Sequence, residues 1–161
     1  MKKTIFPILS LFFILALFYF YAKTDAISEV NANTNLPFPL TLPEKDLEYG
    51  GEYVKEGGFG GYVVRKGDIS FWVSGWPDVI DKYHVTEYRF KGSEYTIFNI
   101  YIGTSINDAT GFLKKFGYNQ IQNYTFEKNN QVRITLFCDE NNNIYEISVR
   151  AISTNKNNII F

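Results

Sequence analysis

Apolar and polar positions alternate with period two along much of the chain beyond residue 61, and take the helical period clearly once. Ile69, Phe71 and Val73 share one face of an extended segment, with Ser70, Trp72 and Ser74 on the other. Tyr62 to Arg65, the turn Lys66-Gly67-Asp68, and Ile69 to Ser74 therefore predict a β-hairpin. Gly75-Trp76-Pro77-Asp78 turns the chain, and Pro77 suits the first position of a short helix through about His84. Val85 to Lys91 and Glu94 to Ile102, joined across Gly92-Ser93, predict a second hairpin. Its return strand would set Thr96, Phe98, Ile100 and Ile102 against Tyr95, Ile97, Asn99 and Tyr101.

Helical spacing follows at Ile106, Ala109, Phe112, Leu113 and Phe116. Ser105 with Asp108 three residues on forms a capping-box signal, Lys114 and Lys115 suit the last turn, and Gly117 suits the left-handed stop. Gly111 inside the helix predicts a close neighbour there. Three strands close the pattern, at about Gln120 to Lys128, Gln131 to Cys138 and Ile144 to Ile152. Asn129-Asn130 and Asp139 to Asn143 make their turns. The expectation is an α+β fold, an antiparallel sheet with two short helices in the order ββαββαβββ. Val73–Ile102 and Ile102–Phe137 would be two loosely repeated αββ units.

Ahead of this domain, Lys2 and Lys3 precede an apolar run from Ile5 to Tyr21, which predicts an N-terminal hydrophobic helix. A basic start and an apolar run read as an export signal, with small-residue sites at Thr24-Asp25-Ala26 and Val30-Asn31-Ala32. The same run reads as an uncleaved anchor: as a helix it would span about 25 Å, closed by the aromatic belt Phe18 to Tyr21. In both cases the lysines stay in the cytoplasm and the rest faces outward, secreted or anchored to the cytoplasmic membrane. Residues 1–26 are thus a signal peptide or membrane anchor. Residues 27–48, with Asn31, Asn33, Asn35, Pro37, Pro39 and Pro43, predict an extended spacer. Residues 49–153 hold the domain, and 154–161 are a tail ending in Ile159-Ile160-Phe161.

The chain has 161 residues, 16 Lys+Arg, 17 Asp+Glu, one His and one Cys. That charge balance argues against nucleic acid as a partner, because phosphate binding needs a basic surplus. Without residues 1–26 the balance is 13 positive to 16 negative side chains. The single Cys excludes an internal disulfide, and one Cys with one His excludes the usual zinc clusters, so no cofactor or metal is implied.

Ile102-Gly103-Thr104-Ser105-Ile106-Asn107-Asp108-Ala109, followed by Phe112-Leu113 and Gly117-Tyr118, resembles a recurring exported module. It is similar to the SmpA/OmlA small outer-membrane lipoproteins, to β-lactamase-inhibitor-like domains, and to exported proteins of unknown function from Gram-positive bacteria. In these a Gly and a capping residue open a short helix that packs on an antiparallel sheet. The resemblance covers about residues 100–150 and implies a non-enzymatic role in binding or envelope assembly. The inhibitor domains' cysteines and the lipid-anchor cysteine have no counterpart here, and no binding residue is carried over.

Catalytic signals are weak. His84 could pair with a serine or Cys138, but no flanking pattern marks an activated nucleophile, and a helix-end cap suits it better. Cys138 shares the inward parity of Ile134 and Leu136 and reads as a small buried hydrophobe. Asp139 to Asn143 has the start of a calcium loop but Ile144 and Arg150 where Gly and Glu are needed, so a turn is expected. Gly57-Gly58-Phe59-Gly60-Gly61 lacks the Lys-Ser/Thr of a phosphate loop and reads as a flexible or tightly turned connection.

Aromatic residues, at 18%, are the informative surplus. Parity puts Trp72 opposite the inward set, and Tyr95 and Tyr101 on the reverse of Phe98 and Ile100, with Trp76 in a turn. Exposed rings stack on sugars or anchor protein interfaces, so these four are the candidate binding residues. The competing expectation is a second layer, such as the glycine-rich segment, covering that face. Together these signs favour a non-catalytic envelope module that binds a protein or a cell-wall glycan. The alternatives are an envelope hydrolase using Asp78 and Asp81, and a structural tethered spacer domain.

Overall fold

The computed structural model describes residues 25–58, 61–75 and 83–152. Among these, eight strands form one antiparallel sheet: β1 (Val54–Gly58), β2 (Gly61–Lys66), β3 (Ile69–Gly75), β4 (Tyr83–Phe90), β5 (Asn119–Gln122), β6 (Thr125–Lys128), β7 (Val132–Cys138) and β8 (Ile144–Ala151). Two α-helices, α1 (Ala26–Ala32) and α2 (Ile106–Lys115), complete an α+β architecture dominated by the sheet. Neither is long and apolar enough to cross a membrane, and the apolar run 5–21 lies outside the described residues.

The spatial order β1-β2-β3-β4-β8-β7-β6-β5 is two four-stranded meanders set side by side. The seam is β4 against β8, from Glu87 opposite Arg150 to Phe90 opposite Ile147. Register carries the alternation of β3 across this seam. Val64, Phe71, Tyr88, Val149, Ile134 and Phe126 lie in one row on the same face, all buried. The buried residues of α1 and α2 join this face in a single core. Fully burying one such Val or Phe contributes about 1.5–3 kcal/mol.

α2 is bounded by its own sequence. Ser105 Oγ accepts from Asp108 N at 3.2 Å, the expected cap. At the other end Gly117 has φ 78°, its N–H donates to Lys114 O, and Tyr118 N–H donates to Leu113 O, both at 3.0 Å. This doubled closure is the Schellman motif, and Leu113 and Tyr118, the pair it brings together, are both buried. Gly111 has no close neighbour: a Cβ there would meet nothing within 4 Å, contrary to the crowding its place in the helix predicts.

Residues 94–102 are not the return strand of a hairpin. Phe98 and Asn99 take φ 51° and 62°, and Ile97 and Ile100 exchange backbone hydrogen bonds at 3.0 and 2.8 Å, a type I′ turn. A bulky residue enters the left-handed region only when its surroundings hold it there. The Phe98 ring does this, packing 4.4 Å from Phe116 and 5.5 Å from Tyr118. The order ββαββαβββ and its αββ repeat are therefore replaced. β4 finds its second partner in β8, and the Gln120–Lys128 segment breaks into β5 and β6 at Tyr124, φ 53°. The helix expected from Pro77 falls on residues 76–82, outside the described set, and its expected end at His84 is strand.

The stretch 27–48 is no spacer but part of the domain. Ala26 and Val30, one turn apart on α1, are fully buried, as is Leu40. Seven residues are too few to hold a helix in water, so packing must stabilise α1. The asparagines that give the stretch its polar look satisfy backbone groups. Asn31 Oδ1 accepts from Leu40 N at 2.8 Å, Asn35 Oδ1 accepts from Thr96 N at 2.7 Å, and Asn33 Nδ2 donates to Glu29 O at 2.9 Å. The prolines flank a strand-like passage in which Thr41 N–H donates to Val85 O and Val85 N–H donates to Leu42 O. The described glycines of the glycine-rich segment belong to β1 and the start of β2, Gly57 opposite Tyr62 and Gly58 opposite Gly61, and lie in the sheet rather than over it.

Candidate functional site

Trp72 stands on the sheet face opposite the core, because its neighbours Phe71 and Val73 point inward. Both helices belong to the core side, so among the described residues no helix packs over Trp72. Register places Glu56, Val63, Trp72, Glu87, Arg150, Arg133 and Glu127 in one row across this open face. Arg65, Ser70, Arg89, Ser148, Thr135 and Thr125 form the next.

The charges are layered. Glu87 accepts from Arg89 Nε at 3.1 Å and from Ser148 Oγ at 3.0 Å, and pairs with Arg150 Nε at 3.7 Å. Glu146 pairs with Lys91 Nζ at 3.3 Å and with Arg89 at 4.0 Å, and Glu127 with Arg133 at 2.8 Å. The side chains of Glu87 and Glu146 are only 13% and 14% exposed, those of Arg89 and Lys91 47% and 60%. At Glu87 and Glu146 the carboxylates are sunk and the cations ride above them, so this part of the face presents positive charge, while Glu56 at the edge of the row and Asp68 at the rim of the groove stay exposed.

Between the ends of β2, β3, β4 and the start of β8 lies a groove of about 370 Å³. Arg65, Asp68, Ser70, Trp72, Arg89, Lys91 and Glu146 line it. The Arg89 guanidinium sits 5.4 Å from the Trp72 ring centroid, a cation–π contact worth about 0.5–1 kcal/mol at an exposed site. An indole face, a guanidinium held in place by two carboxylates, and neighbouring hydroxyls can bind a ring-shaped ligand carrying negative charge.

The other aromatic candidates are elsewhere. Tyr95 packs edge-on against Phe90, 5.8 Å between centroids, on the covered face, and burial raises its hydroxyl pKa. Tyr101 is half-exposed in the loop before α2, and Trp76 lies outside the described residues. Much of the aromatic surplus is core. Phe38, Tyr49, Tyr53, Phe71 and Tyr88 form one cluster of ring contacts, with Tyr88 Oη donating to Phe38 O at 2.9 Å. The groove's charged residues form no motif in the sequence. Their signal is the parity of β4 and β8, where Arg89 alternates with Tyr88 and Phe90, and Glu146 precedes Ile147.

The remaining reactive groups do not converge. His84 is a buried strand residue opposite Ser74, not a helix cap. Its Nδ1 has no hydrogen-bond partner among the described residues, and burial lowers its pKa. Cys138 is a free thiol beside a β-bulge and only half-buried, at the opposite end of the sheet from His84. Asp139 Oδ1 accepts from Asn141 N and Asn143 N, both at 2.9 Å, which makes an Asx turn. Among the described residues no three His, Cys, Asp or Glu gather as metal ligands, and Asp78 and Asp81 lie outside that set. No family model, curated protein or solved structure matches this chain.

Proposed function

We propose that this chain is an exported envelope protein, secreted or tethered by residues 5–21. In this reading it acts without catalysis, binding carboxylate-bearing cell-wall glycan through the open sheet face. The observation that carries the proposal is the layered charge at Trp72: cations raised over the sunk carboxylates of Glu87 and Glu146 beside a half-buried indole with one face under Arg89. A sugar ring offers C–H groups to the indole face, and its carboxylate meets a guanidinium whose geometry is already fixed by Glu87 and Glu146. Fixing the cation beforehand lowers the ordering cost of binding. The groove's modest size suits one or two sugar rings rather than a protein surface.

Co-sedimentation of the full chain in detergent with purified insoluble wall glycan tests this. Trp72→Ala and Arg89→Ala should each lower the apparent affinity about tenfold, equivalent to about 1.4 kcal/mol. Retention should also fall as salt rises, since the cations are solvent-facing. Equal sedimentation of wild type and both variants refutes the glycan assignment. Wall glycan whose carboxylates have been amidated should sediment the protein far less, and equal binding of the amidated glycan refutes the carboxylate requirement.

A further inference from the structure

The sequence offers two small-residue processing sites, Thr24-Asp25-Ala26 and Val30-Asn31-Ala32, and α1 takes up Asp25 and Ala26 of the first and all of the second. Asp25 is the N-cap of α1: its Oδ1 accepts from Ile27 N at 3.2 Å, and its Oδ2 accepts from Ser28 Oγ at 2.7 Å. Ala26 is fully buried, and its N–H donates to Gln131 Oε1 at 2.9 Å. Further along α1, Val30 is fully buried and Glu29 holds Lys128 at 2.7 Å.

A cut after Ala26 would remove the cap and the Gln131 bond, and leave a new ammonium group at the helix N-terminus, where positive charge is disfavoured. A cut after Ala32 would remove α1 whole and bare the apolar surface beneath it.

Resting on the export reading above, we infer that the leader is retained as a membrane anchor and holds the domain directly on the bilayer by its Gln131 end. Only Ala22, Lys23 and Thr24 separate the apolar run from the N-cap, a reach of about 10 Å. The same Gln131 accepts from Ile152 N–H at 2.7 Å through its backbone oxygen, so both ends of the described domain meet at this pole. The strands rise from here: Arg150 lies near the pole, and Glu146 of the groove is four residues further along β8, about 13 Å. The groove therefore faces away from the membrane, toward the wall.

The test uses the full chain with a carboxy-terminal tag, expressed in a bacterial host and separated into membrane, cytosolic and external fractions. Intact mass should show the full translated chain in the membrane fraction, resistant to alkaline carbonate. A product beginning at Asp25, Ile27 or Asn33 overturns retention while leaving export standing. Full-length protein free in the cytosol overturns export, and the anchor with it. Orientation is read after reconstitution into vesicles, with a fluorophore at Asn130→Cys or at Lys91→Cys in a Cys138→Ser background. A lipid-borne quencher should dim the Asn130 label several-fold more than the Lys91 label, and equal quenching overturns the upright placement.

Discussion

Arg89 binds in two directions at once, its guanidinium 5.4 Å from the centroid of the Trp72 ring and its Nε donating to Glu87 Oε1 at 3.1 Å. The guanidinium thereby shields one face of the indole. In a Trp76→Phe background, Trp72 is the only tryptophan. There Arg89→Ala should raise acrylamide quenching of Trp72 and change stability by less than about 1 kcal/mol, as for exposed pairs. Unchanged quenching would show that the cation does not cover the ring.

Lys128 is the tie between α1, β6 and the end of α2. Its Nζ donates to Glu29 Oε2 at 2.7 Å and to Phe116 O at 2.6 Å, with 12% of the side chain exposed. Glu29→Gln leaves that ammonium without its counter-charge and should cost about 1–3 kcal/mol in urea unfolding. Lys128→Met, which removes the charge and keeps the stem, should cost less than Lys128→Ala. An unchanged midpoint in Glu29→Gln would mean that α1 docks by apolar contact alone.

Gly111→Ala should stabilise the domain by about 1 kcal/mol. The helix gains a better former, the unfolded chain loses freedom, and the new methyl meets open space. Thermal unfolding reads the gain directly, as a rise of a few degrees. A lower melting temperature would place an unseen neighbour against that turn.

Acid should weaken the fold through His84. Burial lowers its pKa in the folded state, so between the unfolded value of about 6.5 and the lower folded value the unfolded chain binds more protons. The stability contributed by neutral His84 is present above about pH 6.5 and is lost as pH falls through that window. The slope of unfolding free energy against pH between 7 and 5 should flatten in His84→Gln, and an identical slope would assign the acid sensitivity to other groups.

The sequence made some features plain and hid others for identifiable reasons. α2 was readable because every signal for it is local: Ser105 and Asp108 at the start, Gly117 at the stop, an apolar stripe between. The β2–β3 hairpin was readable for the same reason, its turn falling at Gly67, φ 53°. The β4–β8 seam was not, since nothing near Phe90 specifies Ile147 as its partner. Phe98 departs from the strand its alternation predicts because a left-handed aromatic runs against local preference and is held by tertiary contacts with Phe116 and Tyr118. Asn31, Asn33 and Asn35 looked like solvated linker because composition does not reveal which backbone groups an amide will meet. At the candidate site, alternation correctly turned Trp72 outward. Arg89 and Glu146 became visible only once register set them beside it.

The meeting of both ends of the domain on Gln131 makes the succession of its elements nearly interchangeable. A permutant joined by a short linker from Ile152 to Asp25, and opened at the exposed Gly50-Gly51 turn, would be synthesised with all eight strands first and α1 last. Such a rewired gene should still yield the same sheet, because the contacts that close the ring already exist in the native order.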